Sequence, residues 1–312
     1  MKSRKIKTDY IGVKMKNILV VGGSGFIGKN VREYLKDKAC YKIYAPTSKE
    51  LNAIDEEQVT DALKQTHFDL VLNFAVYGDG IDKAKDGSKM LEYNLRIFLN
   101  FEKNYQLYNR MLYAGTGAEY DKRFNICSVK ESEEGKHIPT DQYGLMRYIT
   151  DRMIRQSENI YSLKLFGIFG KYEPWHIRFI SNCCCKAIKG IPISIRQNVY
   201  FDYLWIEDFC KILDWFMDGD NYPKHHAYNV TRGEKVDLLT IAKLVVEISG
   251  KQIPIIVCHE GIGKEYTSDN QLLLQEIGDF KFTPLKIAIH KLYLWYQNHE
   301  NEIDLYKLLY QN

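Results

Sequence analysis

No stretch of this chain approaches the roughly 18–20 uncharged apolar residues that a bilayer-crossing helix needs. The opening MKSRKIKTDYIGVKM is basic but has no apolar centre, so it does not read as a secretory signal; residues 1–14 read as a loose leader. Neither sign of charge dominates. The 43 Lys+Arg against 40 Asp+Glu leave +3, well short of the basic surplus of a dedicated nucleic-acid binder. No CxxC pair occurs among the seven cysteines (Cys40, Cys127, Cys183, Cys184, Cys185, Cys210, Cys258). Three of them are adjacent inside a helix-like pattern. They read as reduced thiols packed like small hydrophobes, as expected of a cytoplasmic chain without a metal site. Repeats and low-complexity linkers are also missing. What is left is a folded chain of 312 residues, 45% hydrophobic and 27% charged, long enough for two domains or for one domain with a lobe.

The first half alternates short apolar runs with amphipathic stretches. Strands are expected at residues 17–21, 42–45, 69–75, 110–114 and 161–166, with helices at 29–38, 56–65 and 94–108. Repeated β-α units imply α/β architecture: a doubly wound parallel sheet, the Rossmann arrangement, with ligands bound beyond the carboxyl ends of its strands. After about residue 170 the rhythm changes. Helices are expected at 178–189, 207–217, 240–249 and 285–299, and strands at 192–195 and 199–206. The division that follows is a dinucleotide-binding domain over 15–170, with 199–231 returning to it. A substrate-binding lobe then comprises 171–198 and 232–312.

Gly22-Gly23-Ser24-Gly25-Phe26-Ile27-Gly28 follows the first strand and opens the first helix. Glycines at 22, 25 and 28 let the backbone turn tightly, admit a pyrophosphate and pack helix against strand, while the helix N-terminus offers N–H groups to phosphate. Phe26 and Ile27 belong to the same loop. The end of the second strand bears on which dinucleotide is bound. An acidic residue there accepts from the ribose hydroxyl of NAD; this chain has Thr47-Ser48-Lys49, which suit a 2′-phosphate. NADP(H) is therefore the expected cofactor, with NAD(H) as the alternative. Asp55 is read either as an acceptor for the adenine amino group or as the N-cap of the next helix.

Taken together, the ordered motifs resemble the extended short-chain dehydrogenase/reductase family, the nucleotide-sugar epimerases, dehydratases and ketoreductases. The likeness runs from about Met15 to about Gln297. Beside the glycine loop it rests on Asn73-Phe74-Ala75, Asn94, the stretch Tyr113 to Tyr120, Tyr143-Gly144-Leu145-Met146-Arg147, Leu165 to Gly170 and Phe201 to Asp208. The resemblance implies a homodimer, and a tyrosine that exchanges a proton at the sugar oxygen while hydride passes to or from nicotinamide. Tyr143 takes that role and Thr116 orients the same oxygen. Asn73, Ala75, Asn94, Tyr143, Arg147 and Phe166 are expected on the cofactor. The family's lysine, four residues after the tyrosine, is here Arg147, which keeps the charge but not the geometry toward ribose. A free tyrosine titrates near ~10, so activity at neutral pH calls for about 4 kcal/mol of charge stabilisation.

Reaction subtype is read from what is replaced. Dehydratases of the family carry an acidic pair after the threonine; here stand Gly117 and Ala118. Relatives that epimerise at two carbons use a Cys in that loop and a His after the later strand, where this chain has Ala118 and Tyr172. The expectation is NADP(H)-dependent reduction of a nucleotide-linked 4-keto-sugar. A 4-epimerase holding NAD tightly, and a cofactor-binding scaffold with impaired catalysis, are the alternatives. Val76, Gly117 and Tyr172 are candidate substrate contacts. Gly167 and Phe201 stand where relatives hold phosphate-binding residues, so Arg178, Lys186 and Arg196 are the candidate replacements.

Overall fold

The computed structural model describes residues 15–78 and 87–309; the leader expected at 1–14 lies outside them. The first half runs β1 (Lys16–Val21), α1 (Phe26–Leu35), β2 (Tyr41–Tyr44), α2 (Glu56–Gln65), β3 (Phe68–Asn73), α3 (Met90–Glu102), β4 (Tyr108–Thr116), β5 (Ile126–Val129), α4 (Gln142–Ile154) and β6 (Ile160–Leu165). It continues with β7 (Gly167–Phe169), α5 (Phe179–Lys189), β8 (Ile193–Asn198), β9 (Tyr200–Trp205), α6 (Ile206–Met217), β10 (Ala227–Asn229) and β11 (Lys235–Asp237). The chain closes with α7 (Leu238–Ser249), β12 (Ile255–Ile262), β13 (Tyr266–Ser268), α8 (Gln271–Ile277), α9 (Leu285–Asn298) and α10 (Leu305–Leu309).

The continuous apolar runs lie in the middle of a six-stranded sheet ordered β2-β1-β3-β4-β6-β10. Every neighbouring pair in it is parallel, which requires helical crossovers and covers both faces. From β1 the chain steps first to β2 on one side and then to β3 on the other. That reversal opens a crevice at the carboxyl ends of β1 and β3. On one face Leu19, Val21 and Val71 pack with Val59, Phe98, Phe101 and Ile154. On the other, one apolar cluster runs from Ile18 and Val20 through Phe209 and Leu213 to Ile180, Ile241 and Leu292. Cys183, Cys184 and Cys185 belong to that cluster, and burial pushes the Cys183 thiol up to about 12.

A second sheet, β11-β9-β13-β5 with β7 also on β9, stands over the carboxyl ends of the first, and β8 pairs with β12. The helix expected over 94–108 is shorter. It ends at Glu102, because Asn159 Nδ2 donates to Tyr105 O and Tyr108 O and holds that segment in a turn leading into β4. Among the described residues no helix is long and apolar enough to cross a membrane.

Candidate active site

The glycine loop closes against the end of β3. Gly22 has φ of +80°, and a Cβ there would stand 2.7 Å from Ala75 N. A Cβ on Gly28 would stand 2.3 Å from Gly22 O, so the first turn of α1 can pack here only without a side chain. Gly25 caps α1 with no side-chain hydrogen bond, and no acidic residue lies in the first turn. The N–H groups and partial positive charge of that turn are left for an anionic ligand. This cradle fits the pyrophosphate of a dinucleotide. At the far end Arg32, which the sequence reading did not single out, reaches back to donate to Gly23 O at 3.2 Å. Its side chain and Ala45 both flank Gly23, which brings a guanidinium to the end of β2. Thr47 is less available than expected, because its N–H and hydroxyl both donate to the Glu50 carboxylate, at 2.7 and 2.9 Å. Ser48 and Lys49 are exposed in the same turn.

The same loop opens into a cleft of about 650 Å³. Gly22, Gly25, Phe26, Ile27 and Gly28 line one end; Val76, Thr116, Tyr143, Arg147 and Phe166 line its middle. Asp141 caps α4 by accepting from Gly144 N at 2.8 Å, which fixes the turn that carries Tyr143. Thr116 ends β4, and its Oγ1 accepts from Ala118 N at 3.3 Å. Arg147 is turned inward and is 6% exposed. Its Nη1 donates to the Tyr113 hydroxyl at 2.8 Å and to Ala114 O at 2.7 Å. Burial opposes that charge, yet the Tyr113 and Tyr143 phenols around it raise the guanidinium above its ordinary value, so it stays a cation. At the outer end Lys122, Lys264 and Arg178 share the wall with Phe124, Tyr203 and Tyr266. Burial raises the Tyr266 phenol, while a side-chain hydrogen bond to Thr116 acts the other way.

Several expected contacts have other occupations. Asp55 is the N-cap of α2, with Oδ1 accepting from Gln58 N and Oδ2 from Gln58 Nε2. Asn73 Oδ1 accepts from Ala75 N and shapes the end of β3. Asn94 is consumed by the backbone, donating to Met90 O and Tyr77 O and accepting from Tyr77 N. Gly117 is packed against Phe166, which a Cβ would meet at 2.5 Å. Three substrate candidates are corrected. Tyr172, at φ +68°, donates to Glu33 on α1 and lies edge-on to Trp295, outside the cleft. Lys186 faces β8 and donates to Ser194 Oγ at 3.0 Å, and Arg196 is an exposed residue of β8. Lys186 lies about two turns along α5 from Phe179, at the end of the helix away from the cleft; of the three basic candidates only Arg178 lines it.

Behind Thr116 lies a closed ionic cluster. Lys164, wholly buried on β6, meets Glu119, and also Asp151 at 3.1 Å and Glu134 at 3.5 Å. Arg155 meets Glu134 at 2.5 Å and Asp151 at 2.8 Å. Lys164 meets all three carboxylates, while Arg155 meets Glu134 and Asp151 from the outer side. Glu119 points into this cluster and away from the cleft.

The model of the NAD dependent epimerase/dehydratase family matches residues 18–231, more than half the chain. The protein belongs to that family. Members are NAD(P)-dependent enzymes of the oxidoreductase type that modify nucleotide-linked sugars. GDP-mannose 3,5-epimerase 1 of Oryza sativa subsp. indica is 22% identical over 310 residues, covering 89% of this chain and 81% of its own. Among solved structures, a GDP-L-fucose synthetase from Naegleria fowleri bound to NADP superposes with a TM-score of 0.81 at 16% identity. It covers 92% of this chain and 94% of its own. A GDP-mannoheptose C4 reductase from Campylobacter jejuni with NADP bound gives 0.77 at 17%, over 91% and 99%. These likenesses support the doubly wound fold read from the β-α alternation.

Proposed function

We propose that this family member reduces the 4-keto group of a nucleotide-linked sugar with NADPH. The observation that carries the reading is the meeting of Thr116, Tyr143 and Arg147 in the wall of the cleft that the glycine loop opens. The bound cofactor supplies the hydride. Tyr143 gives its proton to the ketone oxygen as hydride arrives, and Thr116 holds that oxygen in place. The buried Arg147 charge offsets the negative charge left on the phenol. Gly117 and Ala118 exchange no protons, so nothing in that turn supports dehydration.

Arg32 and Lys49 are the residues we assign to a 2′-phosphate; Thr47 is engaged by Glu50. Lys122, Lys264 and Arg178 supply cations for the substrate's diphosphate at the outer end of the cleft. One observation favours the second reading, a 4-epimerase retaining NAD: the turn after β2 carries a carboxylate, Glu50, which accepts from Thr47 N and Oγ1. That reading predicts NAD that co-purifies with the protein and no net consumption. To test the first, NADPH and a panel of 4-keto-sugar nucleotides are mixed with the protein and cofactor oxidation is followed by absorbance. We expect oxidation with at least one member, slowed about a hundredfold or more by Tyr143→Phe. No oxidation with any member, or a rate indifferent to Tyr143→Phe, would overturn it.

A further inference from the structure

We propose that Tyr113 is a positioning residue: its phenol oxygen pins the Arg147 guanidinium between β4 and Tyr143, and so sets the charge that Tyr143 works against. The inference rests on the role proposed for Tyr143. An arginine four residues beyond a tyrosine shares its helix face, but its long stem does not fix where the guanidinium lies. Here one nitrogen is fixed twice. Nη1 donates to Tyr113 Oη at 2.8 Å and to Ala114 O at 2.7 Å, acceptors on consecutive residues of one strand. The guanidinium carbon then stands 5.3 Å from the Tyr113 ring centre and 5.2 Å from that of Tyr143, held between two phenols.

The pin itself is rigid. Tyr113 is 3% exposed, and its ring packs edge-on to Phe98 with centroids 5.4 Å apart. Burial raises its phenol above the ordinary value, so it stays neutral. A neutral oxygen accepts the hydrogen bond without cancelling the cation, and the charge remains for the Tyr143 phenol on its other side. The carboxylates on this side, Glu119 in the turn after β4 and Asp151 one turn along α4, are both engaged by Lys164 of β6. A lysine at position 147 would end in a single ammonium and need no such pin. The two positions should therefore be energetically coupled.

The test uses the full chain labelled with 15N-arginine. Arg147's guanidinium nitrogens, assigned by their disappearance in Arg147→Lys, should be resolved in the wild type and averaged by rotation in Tyr113→Phe. Resolved signals retained in Tyr113→Phe would overturn the proposal whether or not any keto-sugar is reduced. With a substrate in hand, Tyr113→Phe should lower kcat about tenfold at unchanged KM. It should also move the alkaline limb of the rate profile up by about one pH unit. In the Arg147→Lys background the same change should do little. An unmoved limb, or an equal loss in both backgrounds, would reduce Tyr113 to packing. A wild type that reduces nothing but shows the pinned signals would count against the proposed reaction alone.

Discussion

Arg32 and Ala45 flank Gly23 from two different elements, so the guanidinium reaches the point where β2 ends and the ribose of a dinucleotide would lie. A charge-assisted contact to phosphate contributes about 1.5–3 kcal/mol, and each 1.4 kcal/mol is tenfold. Arg32→Ala should therefore raise the dissociation constant for NADPH about tenfold or more while leaving NADH nearly unchanged. Fluorescence titration of the two cofactors would show it, and an equal loss for both would remove Arg32 from cofactor choice. The residue was not legible in the sequence. It lies four positions past the last glycine of the loop on a helix face shared with ordinary surface residues, and only the fold brings it beside Ala45. The glycines stand out by their spacing after a strand, whereas Thr116, Tyr143 and Arg147 entered through the family resemblance, and the structure puts all of them along one cleft. Tyr113 was visible as part of a motif, but its hydrogen bond to Arg147 spans 34 residues and leaves no local mark. For Asp55 the capping alternative prevailed, since a helix N-cap satisfies its carboxylate within three residues.

Along α4, Tyr143, Arg147, Asp151 and Arg155 follow at intervals of four, a single stripe that faces the cleft at one end and the buried ionic cluster at the other. In that cluster three carboxylates share two cations. Burial and the neighbouring Asp151 push Glu134 up to about 7 from 4.5. Burial also opposes the Asp151 charge, but Lys164 and Arg155 outweigh it and hold that group down to about 2. The signs are opposite. Glu134 contributes stability that is complete below about pH 4.5 and is lost as pH rises through 7, whereas Asp151's contribution is lost only as pH falls toward 2. Lys164 and Arg155 face the pair directly, and Glu119 shares Lys164 with it. The melting temperature should decline between about pH 5 and pH 8 in the wild type and less in Glu134→Gln, whose amide does not titrate. Parallel slopes would show that Glu134 titrates as a surface acid. At this scale seven helices and the long buried strands were readable from period and length; α4 entered only with the family resemblance, and the short α8 and α10 were not read. The three-residue strands β7, β10, β11 and β13 were not, because so short a strand carries no period. β12 escaped for another reason: it is exposed along almost its whole length and lacks the alternation of a half-buried strand.

Across the whole molecule the notable fact is that the sheet and the lobe do not have separate interiors. The apolar cluster that begins at Ile18 and Val20 in β1 passes through α6 and ends on α9, where Ala288, Ile289 and Leu292 are buried. α9 itself packs on α5 and α7, so its apolar face closes the lobe and completes the interior shared with the sheet. No pattern in the sequence could announce this, since the joined residues lie more than 250 positions apart and each reads locally as ordinary helix or strand core. It has a thermodynamic consequence. Removing a side chain at the far end of a shared interior should destabilise the whole, because no boundary exists at which the lobe could melt alone. Leu292 is fully buried, and Leu292→Ala should cost about 2–5 kcal/mol. Calorimetry should show one transition in both proteins, displaced to lower temperature in the variant. Far-ultraviolet dichroism and a cofactor-binding signal from the distant glycine loop should be lost together. If Leu292→Ala instead split the transition, with cofactor binding surviving the first step, the lobe would be an independent unit and the shared interior a contact between two.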